Sequence, residues 1–210
     1  PIRYTTPRSV TTLMLLDCRS LASMKAALIW LVVTVSLVRW VRLLGAMTAK
    51  VYRCSDRVGD GQALKIVNNA IGMGFRVAAL ELVALGRKAG LGLAPMVAGL
   101  NAGPSANFTT RGMLAGLIEG RSTTNFALSL MAKDLSEALA LGLTNAAAMP
   151  FTAATRSTVQ MGLAILGQDA KLDEIITLTG QLAQVEMRGD GSADPDLQAL
   201  IEIGVLVGNV

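Results

Sequence analysis

A lysine and two asparagines, Lys65, Asn68 and Asn69, follow closely on the glycine turn Gly59-Asp60-Gly61. On a helix, residues four apart stack on one face, so Lys65 and Asn69 would point the same way with Asn68 beside them. A primary amine can exchange a proton with a hydroxyl or carbonyl oxygen, and a carboxamide can hold that oxygen in place by hydrogen bonds. To take up a proton the lysine must be neutral, and a position near the partially positive N-terminus of a helix disfavours the ammonium. The competing reading of Lys65 is an exposed lysine in an early helical turn.

Composition narrows the chemistry further. The chain has no histidine, which removes Ser-His-Asp and Cys-His hydrolases and nearly all zinc sites built on imidazole. Acid/base work falls to Lys, Asp, Glu, Tyr or Cys. The two cysteines, Cys18 and Cys54, form no Cys-x-x-Cys spacing, and one long-range disulfide would be sparse for a secreted protein of this size, so both read as reduced thiols in a cytoplasmic protein. No metal site is expected.

The elements that must carry these residues are helical. Leu64, Val67, Ile71, Phe75, Ala78, Leu82, Leu85 and Ala89 recur at steps of three and four, with Lys65, Asn69, Gly72 and Arg76 as a narrower polar or small stripe alongside. A helix from Gln62 to Ala89 would be roughly 42 Å long, enough to form the spine of a domain. Shorter helices are expected over Leu93–Leu100, Thr110–Ile118, Ala127–Leu143, Pro150–Leu166 and Asp169–Thr179, with Asn101 to Asn107 and Arg121 to Asn125 as loops. Ser105 and Asn107 are faint candidates in the first loop, read chiefly as turn residues. In the helix after the second loop, Leu128, Met131, Leu135, Ala138, Leu139 and Gly142 form another apolar stripe, and Lys133 and Asp134 are adjacent polar positions. The short connections favour antiparallel neighbours in a bundle.

Gly59, Gly61, Lys65, Asn68 and Asn69 make a Gly-x-Gly-x-x-x-Lys-x-x-Asn-Asn pattern that resembles the signature opening the C-terminal domain of the β-hydroxyacid dehydrogenases, the family of 3-hydroxyisobutyrate dehydrogenase and tartronate semialdehyde reductase. Asn125 to Leu135, with Lys133 and Asp134, is similar to that family's second C-terminal motif. The resemblance runs over about residues 41–180. It implies a mainly α protein, a helical C-terminal domain of the 6-phosphogluconate dehydrogenase-like type preceded by a truncated or degenerate Rossmann remnant. It implies Lys65 as acid/base, Asn69 and Asn68 as substrate contacts, and Lys133 and Phe126 as cofactor contacts. NAD or NADP would be the cofactor, a small hydroxyacid the substrate and a homo-oligomer the assembly.

The N-terminal quarter is less legible. Val41–Met47 looks like the last helix of the family's cofactor domain and Lys50–Cys54 like its closing strand, but the family's Gly-x-Gly-x-x-Gly and Ser-Gly-Gly motifs occur nowhere in the chain. Pro1 in place of an initiator methionine suggests a processed or truncated chain. The 13-residue apolar run Ala26–Val38 is too short to span a membrane and reads as a buried strand or core helix. The expected organisation is an incomplete segment over 1–57, an all-helical catalytic and dimerisation domain over 58–180, and a linker with a last helix over 181–210.

A net charge of +4 comes from 19 scattered basic residues with few aromatics, a weak signal for nucleic acid. Neither nucleic acid nor membrane is expected as a partner. The principal alternative to an oxidoreductase is a non-catalytic helical dimerisation module.

Overall fold

The structure, a computed structural model, describes residues 11–16, 29–33, 50–55, 57 and 59–187. The chain divides into two compact units, Pro1–Asn68 and Asn69–Val210. The expected helix at 41–47, Cys18, the polar linker from Arg188 and the last helix lie outside the described residues.

In the first unit, β1 (Thr11–Leu16), β2 (Ile29–Val33) and β3 (Lys50–Ser55) form a sheet of order β2-β1-β3. Both pairings are antiparallel, and Met14 stands opposite Trp30 on one side and Tyr52 on the other. Ile29–Val33 is the centre of the apolar run, and its β-branched and aromatic residues take the strand alternative. β3 occupies the stretch expected as a closing strand. Among the described residues no parallel pair, the mark of a doubly wound nucleotide-binding sheet, is present.

The long helix α1 covers Asp60–Lys88, 29 residues, close to the expected bounds. Its apolar stripe does not form the buried side. Ile71, Phe75, Leu82 and Leu85 are 51%, 50%, 62% and 63% exposed, whereas Met73, Leu80, Val83 and Ala84 are buried together with Arg76. A helix apolar around most of its circumference has no polar back to settle its orientation. Close approach settles it instead: a Cβ on Gly74 would stand 2.6 Å from the Phe151 ring. By length and composition α1 could also cross a bilayer, and a third of its apolar window is buried here.

Gly90, at φ 89°, turns the chain after α1, and the Leu91 N–H returns to the Gly86 carbonyl. α2 (Leu93–Ala102) follows, then a π-turn at Thr109–Met113 that runs into α3 (Leu114–Ile118). The expected single helix over Thr110–Ile118 is thus one π-turn and one short α-helix. α4 (Leu128–Thr144) and α5 (Pro150–Leu166) pack against one another. α5 starts on a proline that has no N–H to leave unpaired. The helix expected from Asp169 starts later: a 3₁₀ turn at Leu172–Glu174 leads into α6 (Ile175–Ala183), because Lys171 pairs with Ala127 in an antiparallel bridge.

The core of the second unit joins Met73 and Leu80 of α1 to Leu114, Leu128, Leu135, Val159, Ile175 and Leu178. At the far end of α1, Lys88 Nζ donates to the Ala183 carbonyl at 2.9 Å and Arg87 Nε to the Glu186 carbonyl at 3.3 Å. Lys88 thereby caps the end of α6, where carbonyls lack helical partners, and Arg87 holds the segment just beyond it.

Candidate functional site

The start of α1 is built by local polar contacts. Gly59 adopts φ 95°, a conformation glycine takes without strain, and its carbonyl accepts the Ala63 N–H at 2.9 Å. Asp60, in the first turn, accepts the Ser55 hydroxyl and, at 2.8 Å, Arg57 Nε. The Ser55 bond and then the Arg57 bond hold the Asp60 carboxyl below its usual range. An ionised carboxylate at a helix N-terminus opposes the dipole's positive end. Nearby Cys54 is a free thiol, pushed up first by burial and then by the Asp60 charge, as suits an inert residue.

Lys65 is half-buried, and one turn later on the same helix comes Asn69. Asn69 Nδ2 donates to Asp134 Oδ2 at 2.6 Å, and Asp134 is only 3% exposed. An ionised carboxylate accepts and cannot donate, so this bond fixes which way the Asn69 amide is turned. The NH₂ faces α4 and Oδ1 remains as an acceptor on the other side. A short charge-assisted bond of this kind is among the stronger side-chain contacts.

Asp134 is the partner of Asn69 that sequence reasoning passed over. It was visible only as a polar neighbour of Lys133, although its place in the Leu128, Met131, Leu135 and Ala138 face, which is buried, was a signal. A carboxylate at a buried helical position needs a partner, and Asn69 supplies one.

The other predicted residues are placed differently. Lys133, next to Asp134 on α4, points outward: its side chain is 62% exposed and pairs with Glu137 at 2.8 Å. The Glu137 hydrogen bond and charge raise the Lys133 ammonium above its ordinary value. Phe126 is half-buried, packed against the core from the segment before α4. Asn68 is exposed. Ser105 is exposed too, and Asn107 is a turn residue whose Oδ1 accepts the Thr109 N–H at 2.8 Å and the Thr110 N–H at 3.3 Å. A cleft of about 280 Å³ lies elsewhere, between Gly120–Thr123 and Lys171–Ile176, and neither Asn69, Phe126 nor Lys133 lines it.

Residues 59–179 match the family model described as NAD-binding of NADP-dependent 3-hydroxyisobutyrate dehydrogenase. Among solved structures, the fold is similar to a Mycobacterium tuberculosis 3-hydroxyisobutyrate dehydrogenase with L-serine, at TM-score 0.59 and 20% identity over 71% of this chain and 54% of that one. It is also similar to a 3-hydroxyisobutyrate dehydrogenase from Salmonella typhimurium, at TM-score 0.61 and 20% identity over 67% of this chain and 50% of that one. The chain therefore spans about half the length of these structures. No curated protein sequence matches it. The model match covers more than half of the chain and includes both motif blocks, and the helical architecture agrees with it: this chain belongs to the β-hydroxyacid dehydrogenase family, and residues 59–179 are its helical C-terminal region.

Proposed function

We propose that this chain supplies the helical, substrate-facing part of an NAD(P)-dependent oxidoreductase that interconverts a 3-hydroxyacid and its semialdehyde. In this reading Lys65 takes the hydroxyl proton on oxidation and returns it on reduction, Asn69 is a substrate and orientation contact whose Oδ1 offers an acceptor, and Asn68 is a further substrate contact. The observation that carries the reading is the locked orientation of Asn69, one helical turn beyond Lys65 on an unbroken helix within the family-matched stretch.

A nicotinamide dinucleotide, when bound, would supply the hydride acceptor or donor. Among the described residues, the half-buried Phe126 ring suits an apolar contact with the nicotinamide, and the exposed Lys133 ammonium suits a polar contact with the rest of the cofactor. Both are peripheral contacts. The sequence holds no Gly-x-Gly-x-x-Gly to cradle a pyrophosphate, so the chain alone is inactive in this reading. Residues 58–180 act as the catalytic and dimerisation domain in this reading. The protein works in the cytoplasm as a homo-oligomer.

The test is kinetic. In a chain completed by fusion to a nucleotide-binding domain, Lys65→Ala lowers kcat by about 10² or more, the usual scale for a general acid/base. Lys65→Arg does not restore it, because arginine stays protonated. An unchanged kcat in either variant would return Lys65 to the role of a surface lysine.

A second reading, a non-catalytic helical dimerisation module, draws on the exposed apolar stripe of α1. Nicotinamide-dependent turnover by the completed chain separates the two.

A further inference from the structure

The segment from Arg121 to Ala127, between α3 and α4, has no helix or ladder of its own, yet it is tied down at nearly every residue. Its anchor is one carboxylate in the 3₁₀ turn before α6. Asp173 Oδ2 accepts the Thr123 N–H at 2.5 Å, the Thr124 N–H at 2.9 Å and the Ser122 hydroxyl at 3.2 Å. The Thr123 hydroxyl lies 3.0 Å from Oδ2 and 3.2 Å from Oδ1. Thr124 passes the constraint on, because its own hydroxyl accepts the Phe126 N–H at 3.2 Å. On the other side, the Phe126 carbonyl accepts the Leu172 N–H at 2.8 Å, and the Leu128 N–H reaches the Ala170 carbonyl at 2.8 Å.

The Asp173 charge is also felt by a buried cation on α1. Arg76 of α1 is 6% exposed, and among the described residues no acceptor meets its Nε or Nη1. Burial lowers its affinity for the proton, and Asp173 is the carboxylate whose charge opposes that effect. A carboxylate has two oxygens that can accept several N–H and O–H bonds at once. Arg76 sits two helical turns beyond Asn69 on α1.

We infer that Asp173 is a positioning residue: its carboxylate fixes Ser122, Thr123 and Thr124, and through Thr124 it sets the place of Phe126. The inference rests on the proposed function only for what Phe126 would meet. The device itself is a property of the chain.

The experiment uses the full chain labelled with fluorophenylalanine and read by fluorine NMR. The chain has four phenylalanines, Phe75, Phe108, Phe126 and Phe151, and single Phe→Leu variants assign the four lines. Asp173→Ala shifts or broadens the Phe126 line while the other three stay in place and unfolding remains cooperative. Asp173→Asn, which preserves volume and is the variant to read where alanine prevents folding, moves the same line by less. A Phe126 line unmoved in a folded Asp173 variant, or four lines moving together, overturns the inference. No cofactor is involved, so a selective shift in a chain whose Lys65 kinetics fail upholds the clamp and removes only the enzymatic reading.

Discussion

Asn69 on α1 and Asp134 on α4, 65 positions apart in sequence, meet through a 2.6 Å hydrogen bond at a carboxylate that is almost wholly buried. The bond ties the helix carrying the Lys-x-x-Asn-Asn motif to the helix carrying the Lys-Asp motif, so the family's two blocks share one polar contact.

Removing the carboxylate leaves the Asn69 amide without its acceptor in a partly buried place. Asp134→Ala should lower stability by about 1–3 kcal/mol, the cost of an orphaned buried polar group. Asp134→Asn keeps the volume and one acceptor, so it should cost less while freeing the Asn69 amide to turn. Denaturant unfolding monitored by circular dichroism measures both. A loss below about 0.5 kcal/mol in the alanine variant, the range of ordinary surface substitutions, would show that the contact holds nothing.

The motif residues and helix bounds were legible where local chemistry decides them. Pro150 marks the start of α5, and Gly167 at φ 98° follows its last residue. The Leu128 to Gly142 stripe of α4 is also buried largely as its spacing says, because polar residues occupy its outer face. α1 resisted for the opposite reason: apolar residues surround it, so periodicity found a stripe without saying whether that stripe faces the core. The start of α6 was displaced by a tertiary event, the pairing of Lys171 with Ala127, and the π-turn at Thr109–Met113 has no composition that announces it. Asp134 was hidden because its partner lies on another helix.

The stripe left open on α1 predicts self-association. Ile71, Phe75, Leu82 and Leu85 are each at least half exposed, and small residues beside them, Gly72, Ala78 and Ala79, allow close helix approach. In a two-fold contact both copies contribute the same residues, so burying their remaining area would supply about 6–12 kcal/mol gross. A micromolar dimer needs about 8 kcal/mol after the cost of association, so the stripe supplies part of that and the surface around it must supply the rest. Sedimentation velocity should find dimers or larger species from micromolar concentrations upward. The double substitution Phe75→Glu and Leu82→Glu should give monomers with unchanged helical content. A wild-type chain that stays strictly monomeric through this range would sink the prediction.

The same arithmetic governs the cofactor. In a Rossmann protein most of the affinity for a nicotinamide dinucleotide comes from the glycine loop, the helix N-terminus under the pyrophosphate and a charged residue that reads the ribose. The sequence has no Gly-x-Gly-x-x-Gly, and the strands of the first unit pair antiparallel. What the helical region offers is Lys133, already paired with Glu137 at 2.8 Å, and one half-buried aromatic ring at Phe126. A charged hydrogen bond contributes about 1.5–3 kcal/mol, and Lys133 would first have to give up part of its bond to Glu137, whereas a micromolar complex needs about 8. Titration calorimetry of this chain with NAD and with NADP should thus find no binding tighter than roughly millimolar. A micromolar dissociation constant for either nucleotide would mean that residues 1–57 build a phosphate site without the glycine loop, and the chain would then be an enzyme in its own right.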